Sequence, residues 1–156
     1  MANVYAQINI HAIFAVMGRQ NILNSEIRPR IFEYISGILR NHRLFPLAVG
    51  GWKDHVHVFF ELNPDLKISD SMKLVKSISS KWINENHLMK GKFEWQRGYG
   101  AFSYSRSQRD PVIKYILGQE EHHGKKGINF EKEYLALLDQ FGIPYRKEFL
   151  FEFLGD

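Results

Sequence analysis

The chain has 156 residues, a net charge of +4 and an isoelectric point near 9.3. Hydrophobic residues make up 44% of it, and no linker-like or repetitive stretch divides it, so we expect one domain over residues 1–156. Cysteine is absent, which excludes disulfides and thiolate metal sites, and no apolar run is long enough to cross a bilayer. We therefore expect a cytoplasmic protein without membrane association. The lack of a Walker-type phosphate loop indicates no nucleotide cofactor.

The first half of the chain predicts alternating strands and helices. Residues 4–10 alternate apolar and polar side chains, which indicates a strand. Asn24 is a suitable N-cap for a following helix, in which isoleucines recur at helical spacing. These isoleucines are Ile27, Ile31, Ile35 and Ile38. Residues 45–62 then contain two strands, separated by the turn signal Gly50-Gly51.

The second half continues this pattern with a helix capped at Ser69 and a strand near residues 101–105. The inward face of the helix carries Val75, Ile78 and Trp82. The resulting order, β-α-β-β-α-β, is the split arrangement of an antiparallel, ferredoxin-like α+β fold. A tyrosine-bearing helix follows, and then a short helix at residues 134–141. The phenylalanines at 149, 151 and 153 fit either a subunit contact or docking onto the same chain.

A pair of histidines lies in the second of the two strands within residues 45–62. In the run DHVHVFF at residues 54–60, alternation places His55 and His57 on one face and Val56, Val58 and Phe60 on the other. Two neutral imidazole nitrogens on one face can converge on a metal ion. The pair alone indicates packing as readily as metal binding, so a third ligand and a reacting group are needed. We expect this strand to be central in the sheet.

A predicted helix supplies both kinds of group. Asp110 is a suitable N-cap and Pro111 suits the first helical position, where its missing N–H is not needed. Tyr115 and Gln119 are four residues apart and share a face. The apolar stripe beside them, which seats the helix, consists of Val112, Ile113, Ile116 and Leu117. Tyrosine and amide would therefore project together from an anchored helix.

These residues resemble the single-tyrosine transposases of the HUH class, encoded by minimal insertion sequences of the 200/605 group and their REP-associated relatives. The class is named for a histidine, a bulky hydrophobic residue and a histidine, and His55-Val56-His57 fits that pattern. The other similar blocks, in the family's order, are GGWKD at 50–54, WQRGYGAFS at 95–103, YILGQEEHH at 115–123, EKEY at 131–134 and GIPY at 142–145. The similarity covers nearly the whole chain.

The resemblance implies a catalytic Tyr115 and a divalent metal, Mg²⁺ or Mn²⁺, bound by His55, His57 and Gln119. In the implied reaction, Tyr115 attacks a phosphodiester of single-stranded DNA at hairpin-containing ends. The products are a 5′-phosphotyrosine and a free 3′-hydroxyl. Because the three implied ligands are neutral, the ion would keep its full double charge for the phosphate. Two imidazoles would also suit zinc, nickel or cobalt.

The resemblance also implies a homodimer that binds single-stranded DNA hairpins. Its two sites lie either within one chain or between the histidines of one subunit and the tyrosine helix of the other, because residues 105–108 look like a flexible connection. Two alternative functions stay open. One is a domesticated, REP-associated protein that binds hairpins without cutting them, and the other is a replication-type HUH nickase. In relaxases the tyrosine precedes the histidine pair, whereas here it follows.

Basic residues near the tyrosine are the best candidates for DNA contacts, since the modest net charge alone indicates only a slight preference for polyanions. The predicted DNA-binding residues are Arg97, Arg106, Arg109 and Lys114 around the tyrosine segment and Lys73 and Lys76 on the second helix. His122 and His123 follow the end of the tyrosine helix, where positive charge is favoured in any case, so neither is assigned a catalytic role.

Overall fold

The computed structural model describes residues 3–18 and 22–153. In chain order the main elements are β1 (Asn9–Ala15), α1 (Arg28–Asn41), β2 (Phe45–Gly51), β3 (His55–Glu61), α2 (Ile68–Glu85), β4 (Gly100–Tyr104), α3 (Arg109–Leu117) and α4 (Phe130–Gln140). The strands form one antiparallel sheet in the order β2-β3-β1-β4. The predicted ferredoxin-like α+β arrangement is confirmed, with the histidine strand β3 inside the sheet. Within the described residues, no helix is long and apolar enough to span a membrane.

The two faces of the sheet bury different sets of residues. One face packs against α1 and α2, and its side chains include Phe14, Val58 and Phe60. The opposite face carries His55 and His57 and is covered by α3, α4 and the segment after α4. Alternation along β3 therefore separates the histidines from the main core, as predicted from the sequence.

The first strand lies five residues later than predicted. Residues 4–8 are outside the sheet, whereas β1 spans Asn9–Ala15 and every one of its residues is buried. Its even-numbered residues enter the core under α1 and α2, while Ile13 and Ala15 pack toward α4. A strand covered on both faces has no need of polar alternation. The alternation at residues 4–10 was therefore a misleading signal.

Most residues of the predicted apolar stripes are buried or half-buried, but Leu117 at the end of α3 is 65% exposed and does not seat that helix. The predicted starts of the helices also differ from the observed ones. Asn24 accepts hydrogen bonds from the backbone N–H groups of Glu26 and Ile27 in the turn before α1, but Ile27 occupies the N-cap position, so the N-cap predicted at Asn24 is wrong. The isoleucine stripe is buried.

The cap predicted at Ser69 is wrong. Helix α2 already begins at Ile68, with Lys67 at the N-cap position and no side-chain cap. Its first residue packs against the core, so burial rather than capping sets the start.

The connection from β4 to α3 is ordered. Residues Arg106–Gln108 form a 3₁₀ turn closed by a capping box, in which Gln108 Oε1 accepts from the Ser105 backbone N–H at 3.0 Å. Helix α3 follows directly and begins at Arg109, so Asp110 lies in its first turn rather than at the predicted N-cap. The predicted flexible connection at residues 105–108 is wrong, because the capped turn fixes the direction of the tyrosine helix.

Helix α4 and the aromatic end close the face that carries the histidines. Helix α4 begins at Phe130, four residues before the predicted start, with the Asn129 side chain accepting from the Lys132 backbone N–H. Phe151 is buried against Phe130, whereas Phe149 is 78% exposed. The end of the chain therefore docks in part onto its own α4.

Gly50 allows α3 to lie directly on the sheet. It stands opposite His57 in the β2–β3 pairing, on the same face. A Cβ atom at Gly50 would lie 2.4 Å from the carbonyl oxygen of Ile116 and 3.1 Å from its Cγ2 atom. Helix α3, which carries Tyr115, therefore sits beside the histidine pair only because residue 50 has no side chain.

We expect Gly50→Ala to destabilise the protein by about 1–3 kcal/mol, since the new methyl group meets backbone and α3 must move. Gly37→Ala in α1 is the matched control. Nothing lies within 4 Å of its added Cβ atom, and alanine in a helix is worth roughly 0.5–1 kcal/mol over glycine. Urea unfolding measures both changes. Equal or opposite effects would contradict the close packing of α3 on β2.

Candidate active site

Two further side chains contact the Nδ1 atoms of the histidine pair. His55 and His57 are both fully buried. The Nδ1 atom of His55 lies 2.8 Å from Oδ1 of Asp54, and the Nδ1 atom of His57 lies 2.7 Å from Nε2 of His11 on β1. These contacts turn the Nε2 atoms of both rings toward α3 and α4. His11 had no partner that the sequence could indicate, because the contact joins neighbouring strands.

Tyr115 on α3 and Gln119, which lies two residues after the end of α3 and not on it as predicted, reach the same place. Gln119 is buried, and its Oε1 atom lies 3.0 Å from Nε2 of His55. Tyr115 is half-buried, and its ring centroid lies 5.8 Å from that of His57. The structure thus brings together the predicted nucleophile and the three predicted ligands within one chain.

Glu133 of α4, which the sequence analysis missed, joins all of these groups. Its Oε1 atom lies 3.0 Å from Nε2 of His55 and 3.4 Å from Nε2 of His57. Its Oε2 atom accepts hydrogen bonds from the Tyr115 hydroxyl and, at 2.8 Å, from Nε2 of Gln119. Glu133 is 4% exposed. It falls on the inward stripe of α4 beside Phe130, so a carboxylate on an apolar stripe was the available signal.

His123 is also part of the cluster. It lies in a π-helical turn, Glu121–Lys125, that continues the chain after α3. Its Nε2 atom is 2.9 Å from Oε1 of Gln119 and 3.0 Å from Oε1 of Glu133. His122 is more exposed, and its Nε2 atom lies 3.7 Å from Oε2 of Glu133. The sequence analysis gave neither residue a role, because a regular helix would not indicate this placement.

The electrostatics of the cluster favour a positive charge between the histidines and the carboxylate. Burial acts to lower the pKa of His55, but its hydrogen bonds to Asp54 and Glu133 outweigh burial and raise the pKa to about 9. Burial acts to raise the pKa of Glu133, but the surrounding histidines hold it well below its usual range. Burial and the charge of Glu133 both raise the pKa of Tyr115. Without a cation, the tyrosine is therefore held as the neutral phenol.

The cluster fits a divalent metal ion. His55, His57 and Glu133 each offer a ligand atom, and these atoms lie within 4.8 Å of one another. The Nε2 atom of His57 is buried without a hydrogen-bond partner among the described residues. An ion with bonds of ~2.1 Å separates neighbouring ligands by roughly 3.0–3.4 Å, as the Oε1 contacts of Glu133 do. The carboxylate changes the expected charge: a bound ion would not keep the full double charge that three neutral ligands leave.

The predicted DNA-binding residues fall into three groups. Lys73, Lys76 and Arg97 line one groove of about 570 Å³ beside α2. Arg106 and Lys114 are exposed near α3. Arg109 is occupied within the chain, where its guanidinium pairs with Glu61 at 2.8 Å and its Nε atom donates to Asn9. Lys76 is also partly engaged, since its Nζ atom donates to the backbone oxygens of Gln96 and Gly98.

Comparison with curated proteins finds a relative in Deinococcus radiodurans. The ISDra2 transposase TnpA is 23% identical over 120 residues, which cover 74% of this chain and 86% of the relative. Among solved structures, a D. radiodurans protein described as a transposase matches with a TM-score of 0.61 and 22% identity, over 76% of this chain and 95% of that chain. A REP-associated tyrosine transposase bound to a REP hairpin matches with a TM-score of 0.58 and 14% identity, over 80% of this chain and 73% of that chain.

A family profile adds a match along the sequence. The profile, described as "Transposase IS200 like", matches residues 4–119. The matched region contains the histidine pair, Tyr115 and Gln119, and it ends before His123 and Glu133. This match over most of the chain, together with the shared fold, shows that the protein belongs to the IS200-like transposase family.

Proposed function

We propose that the protein cuts and rejoins single-stranded DNA at hairpin-containing ends through a 5′-phosphotyrosine formed on Tyr115. One observation carries the proposal: within one chain, the Tyr115 hydroxyl, the histidine pair and Gln119 converge on Glu133. A nucleophile beside a set of metal-binding groups is the arrangement that phosphodiester cleavage needs. We further propose that residues 1–156 act as one domain in the cytoplasm.

The reaction forms one bond to phosphorus and breaks one. The Tyr115 oxygen attacks the scissile phosphate, the bond from phosphorus to the 3′ oxygen breaks, and a 3′-hydroxyl strand leaves. Glu133 Oε2 accepts the hydrogen bond of the phenol, so it is the nearest group to pass that proton on, and the departing 3′ oxygen takes up one proton to leave as the hydroxyl. Attack by the 3′-hydroxyl of another strand on the phosphotyrosine reverses these changes and joins the DNA. Each step exchanges one phosphoester for another, and no nucleotide is consumed.

A divalent ion completes this proposal. His55, His57, Gln119 and Glu133 would hold it, and Mg²⁺ or Mn²⁺ is the ion that the resemblance implies. When bound, it supplies positive charge that polarises the phosphate and stabilises the departing oxygen. The Gln119 side chain spans both parts of the site, because its oxygen faces His55 and its amide nitrogen donates to Glu133.

The proposed DNA partner is a hairpin with single-stranded flanks. The similar REP-associated transposase has been solved with a REP hairpin, and that observation supports the same class of partner here. The predicted contacts stay Arg97, Arg106, Arg109, Lys114, Lys73 and Lys76. The exposed members are the stronger candidates, since Arg109 would first have to leave Glu61.

A covalent adduct tests the proposed function. The purified protein is incubated with single-stranded oligonucleotides that carry the imperfect palindromes flanking its gene, with Mg²⁺ or Mn²⁺ present. We expect a protein–DNA band that survives a denaturing gel and a phosphonucleotide mapped to Tyr115 by mass spectrometry. If cleavage occurs without an adduct, or the adduct maps to another residue, the tyrosine mechanism is wrong.

We also propose a homodimer whose two sites each lie within one chain. Tyr115 reaches the histidines of its own chain, and the capped turn before α3 fixes that direction. A Tyr115→Phe chain mixed with a His57→Ala chain should therefore recover no cleavage. Recovery would show that the tyrosine helices are exchanged between subunits. Light scattering at assay concentration should give twice 18.3 kDa, and a monomer would contradict the dimer.

A further inference from the structure

A groove of about 590 Å³ lies between α3 and α4 and shares part of its lining with the candidate active site. Tyr115 of α3 and Glu133 of α4, whose side chains are hydrogen-bonded to each other, both line it. The groove also contacts Gln108, seven residues before Tyr115, and Gln140, seven residues after Glu133. Seven residues of a helix span roughly 10 Å, so the groove extends from the tyrosine along both helices.

The lining of this groove is mostly apolar and carries little charge. Its apolar residues are Pro111, Val112, Ile128, Ala136 and Leu137. Tyr104 of β4 adds a half-buried aromatic side chain. Among the described residues, Lys132 is the only lysine or arginine in the lining. Phosphates of a DNA strand are usually held by several such cations, so the groove suits a flat, uncharged ring system better than a phosphate.

Two amide side chains complete the groove. Gln108 Oε1 accepts hydrogen bonds from the backbone N–H and the hydroxyl of Ser105, at 3.0 and 3.1 Å. These bonds fix the amide and leave its Nε2 atom, which has no partner within the described part of the chain, free to donate. Gln140 is exposed, and its amide can donate and accept. Proteins hold an unstacked base in this way, with apolar or aromatic contacts to its faces and hydrogen bonds to its edge.

In-line attack determines which nucleotide lies nearest to the groove. The Tyr115 oxygen and the departing 3′ oxygen lie on opposite sides of phosphorus, so the departing strand points away from the tyrosine. The nucleotide that keeps its 5′ oxygen on phosphorus lies beside this axis and closer to Tyr115. The described lining of the groove includes Tyr115 but neither His55 nor His57. The groove is therefore on the side of the nucleotide that stays attached.

We propose that the groove binds the unpaired base of the nucleotide directly 3′ of the cleaved bond, which becomes linked to Tyr115. The inference rests on the proposed function and adds a base-binding site outside the metal-binding cluster. Because this nucleotide stays on the tyrosine until the strand is rejoined, the groove acts in both cutting and joining.

An oligonucleotide that lacks one base tests the proposal. The cut is first mapped on the intact strand, and an abasic residue is then placed directly 3′ of it. We expect the second-order rate constant of cleavage by the full chain to fall at least ~10-fold, which is the scale of the contribution of one stacked base. An abasic residue directly 5′ of the cut should cause a smaller loss. An unchanged rate with the first strand, or a larger loss with the second, would overturn the proposal.

Ala136→Leu tests the groove itself. Ala136 is exposed on α4, so a leucine there occupies the groove without entering the core. The variant should cleave the intact strand at least ~10-fold more slowly than the wild type, but the abasic strand at a rate within about twofold of the wild type. Gly37→Leu on α1 is the matched control, because nothing lies within 4 Å of its added Cβ atom. It should leave both rates unchanged, whereas equal losses on both strands in Ala136→Leu would overturn the proposal.

Photocrosslinking separates this proposal from the proposed function, because it needs no cleavage. The probe is 5-iodouracil, placed in turn at each unpaired position of the oligonucleotide. One position should crosslink to Tyr104 or a neighbouring groove residue, and Ala136→Leu should abolish that crosslink. A groove crosslink from a strand that is never cut would overturn only the proposed function. A phosphotyrosine adduct without any groove crosslink would overturn only the base site, and the absence of both would overturn both.

Discussion

Tyr115→Phe should abolish strand cleavage and the covalent adduct while leaving hairpin binding within about twofold of the wild type. Phenylalanine keeps the ring that packs beside His57 and His11 and removes only the oxygen that attacks phosphorus. The lost hydroxyl also donates a hydrogen bond to Glu133. We expect the variant to keep the fold, with the Glu133 carboxylate making one hydrogen bond fewer. A denaturing gel measures the adduct, and a gel shift measures binding.

Tyr34→Phe is the matched control for this result. Tyr34 stacks on Trp82 on the side of the sheet away from the histidines, and the same loss of a hydroxyl there should leave cleavage unchanged. An adduct formed by Tyr115→Phe would show that another residue is the nucleophile. Loss of hairpin binding along with cleavage would assign Tyr115 a role in binding the DNA.

Removing the metal should lower the rate of cleavage by at least ~10³-fold, because a bound ion stabilises the charge of the transition state by several kcal/mol in such reactions. Chelation of the wild type and His57→Ala should have the same effect on cleavage. Added Mg²⁺ or Mn²⁺ should restore the chelated wild type but not the variant, whose Nε2 atom is missing. The readout is the initial rate of oligonucleotide cleavage under excess enzyme.

The chelated wild type also separates chemistry from folding. His57 is fully buried and contacts His11, so replacing it by alanine leaves a cavity and lowers stability. Chelation of the wild type removes the metal without creating a cavity, so a reversible loss of cleavage on chelation reports on the chemistry alone. Circular dichroism of His57→Ala below its melting temperature checks that the variant is folded. Full cleavage in excess chelator would contradict a metal-dependent reaction.

The local parts of the site follow from the sequence, because they depend on the geometry of single elements. Alternation along β3 puts His55 and His57 on one face, and four-residue spacing aligns Tyr115 with Gln119. Both are properties of a few consecutive residues, and the structure brings these residues together. The positions of the main strands and helices after residue 24 also follow, apart from the exact starts of the four helices.

The remaining parts depend on tertiary packing, which a pattern in one segment does not contain. Glu133 belongs to the site because α4 packs across the sheet, and His123 belongs to it because the chain takes a π-helical turn. The first strand was predicted at the wrong residues for a related reason. Because β1 is buried on both faces, it lacks the apolar–polar alternation on which the prediction relied.

The separations along the chain divide the site into two units of different origin. Gln119 and Glu133, which bond to each other, are 14 residues apart, whereas His55 and Gln119 are separated by 64. Loop-closure entropy makes the longer contact about 1.3 kcal/mol costlier to form than the shorter one, at about 0.6 kcal/mol per doubling of length. The tyrosine, the amide and the carboxylate therefore form a nearly local unit, and the histidine pair belongs to the sheet. The two units meet where Oε1 of Glu133 and Oε1 of Gln119 both face Nε2 of His55, so the reacting group and the metal-binding strand are joined through atoms that would hold the ion.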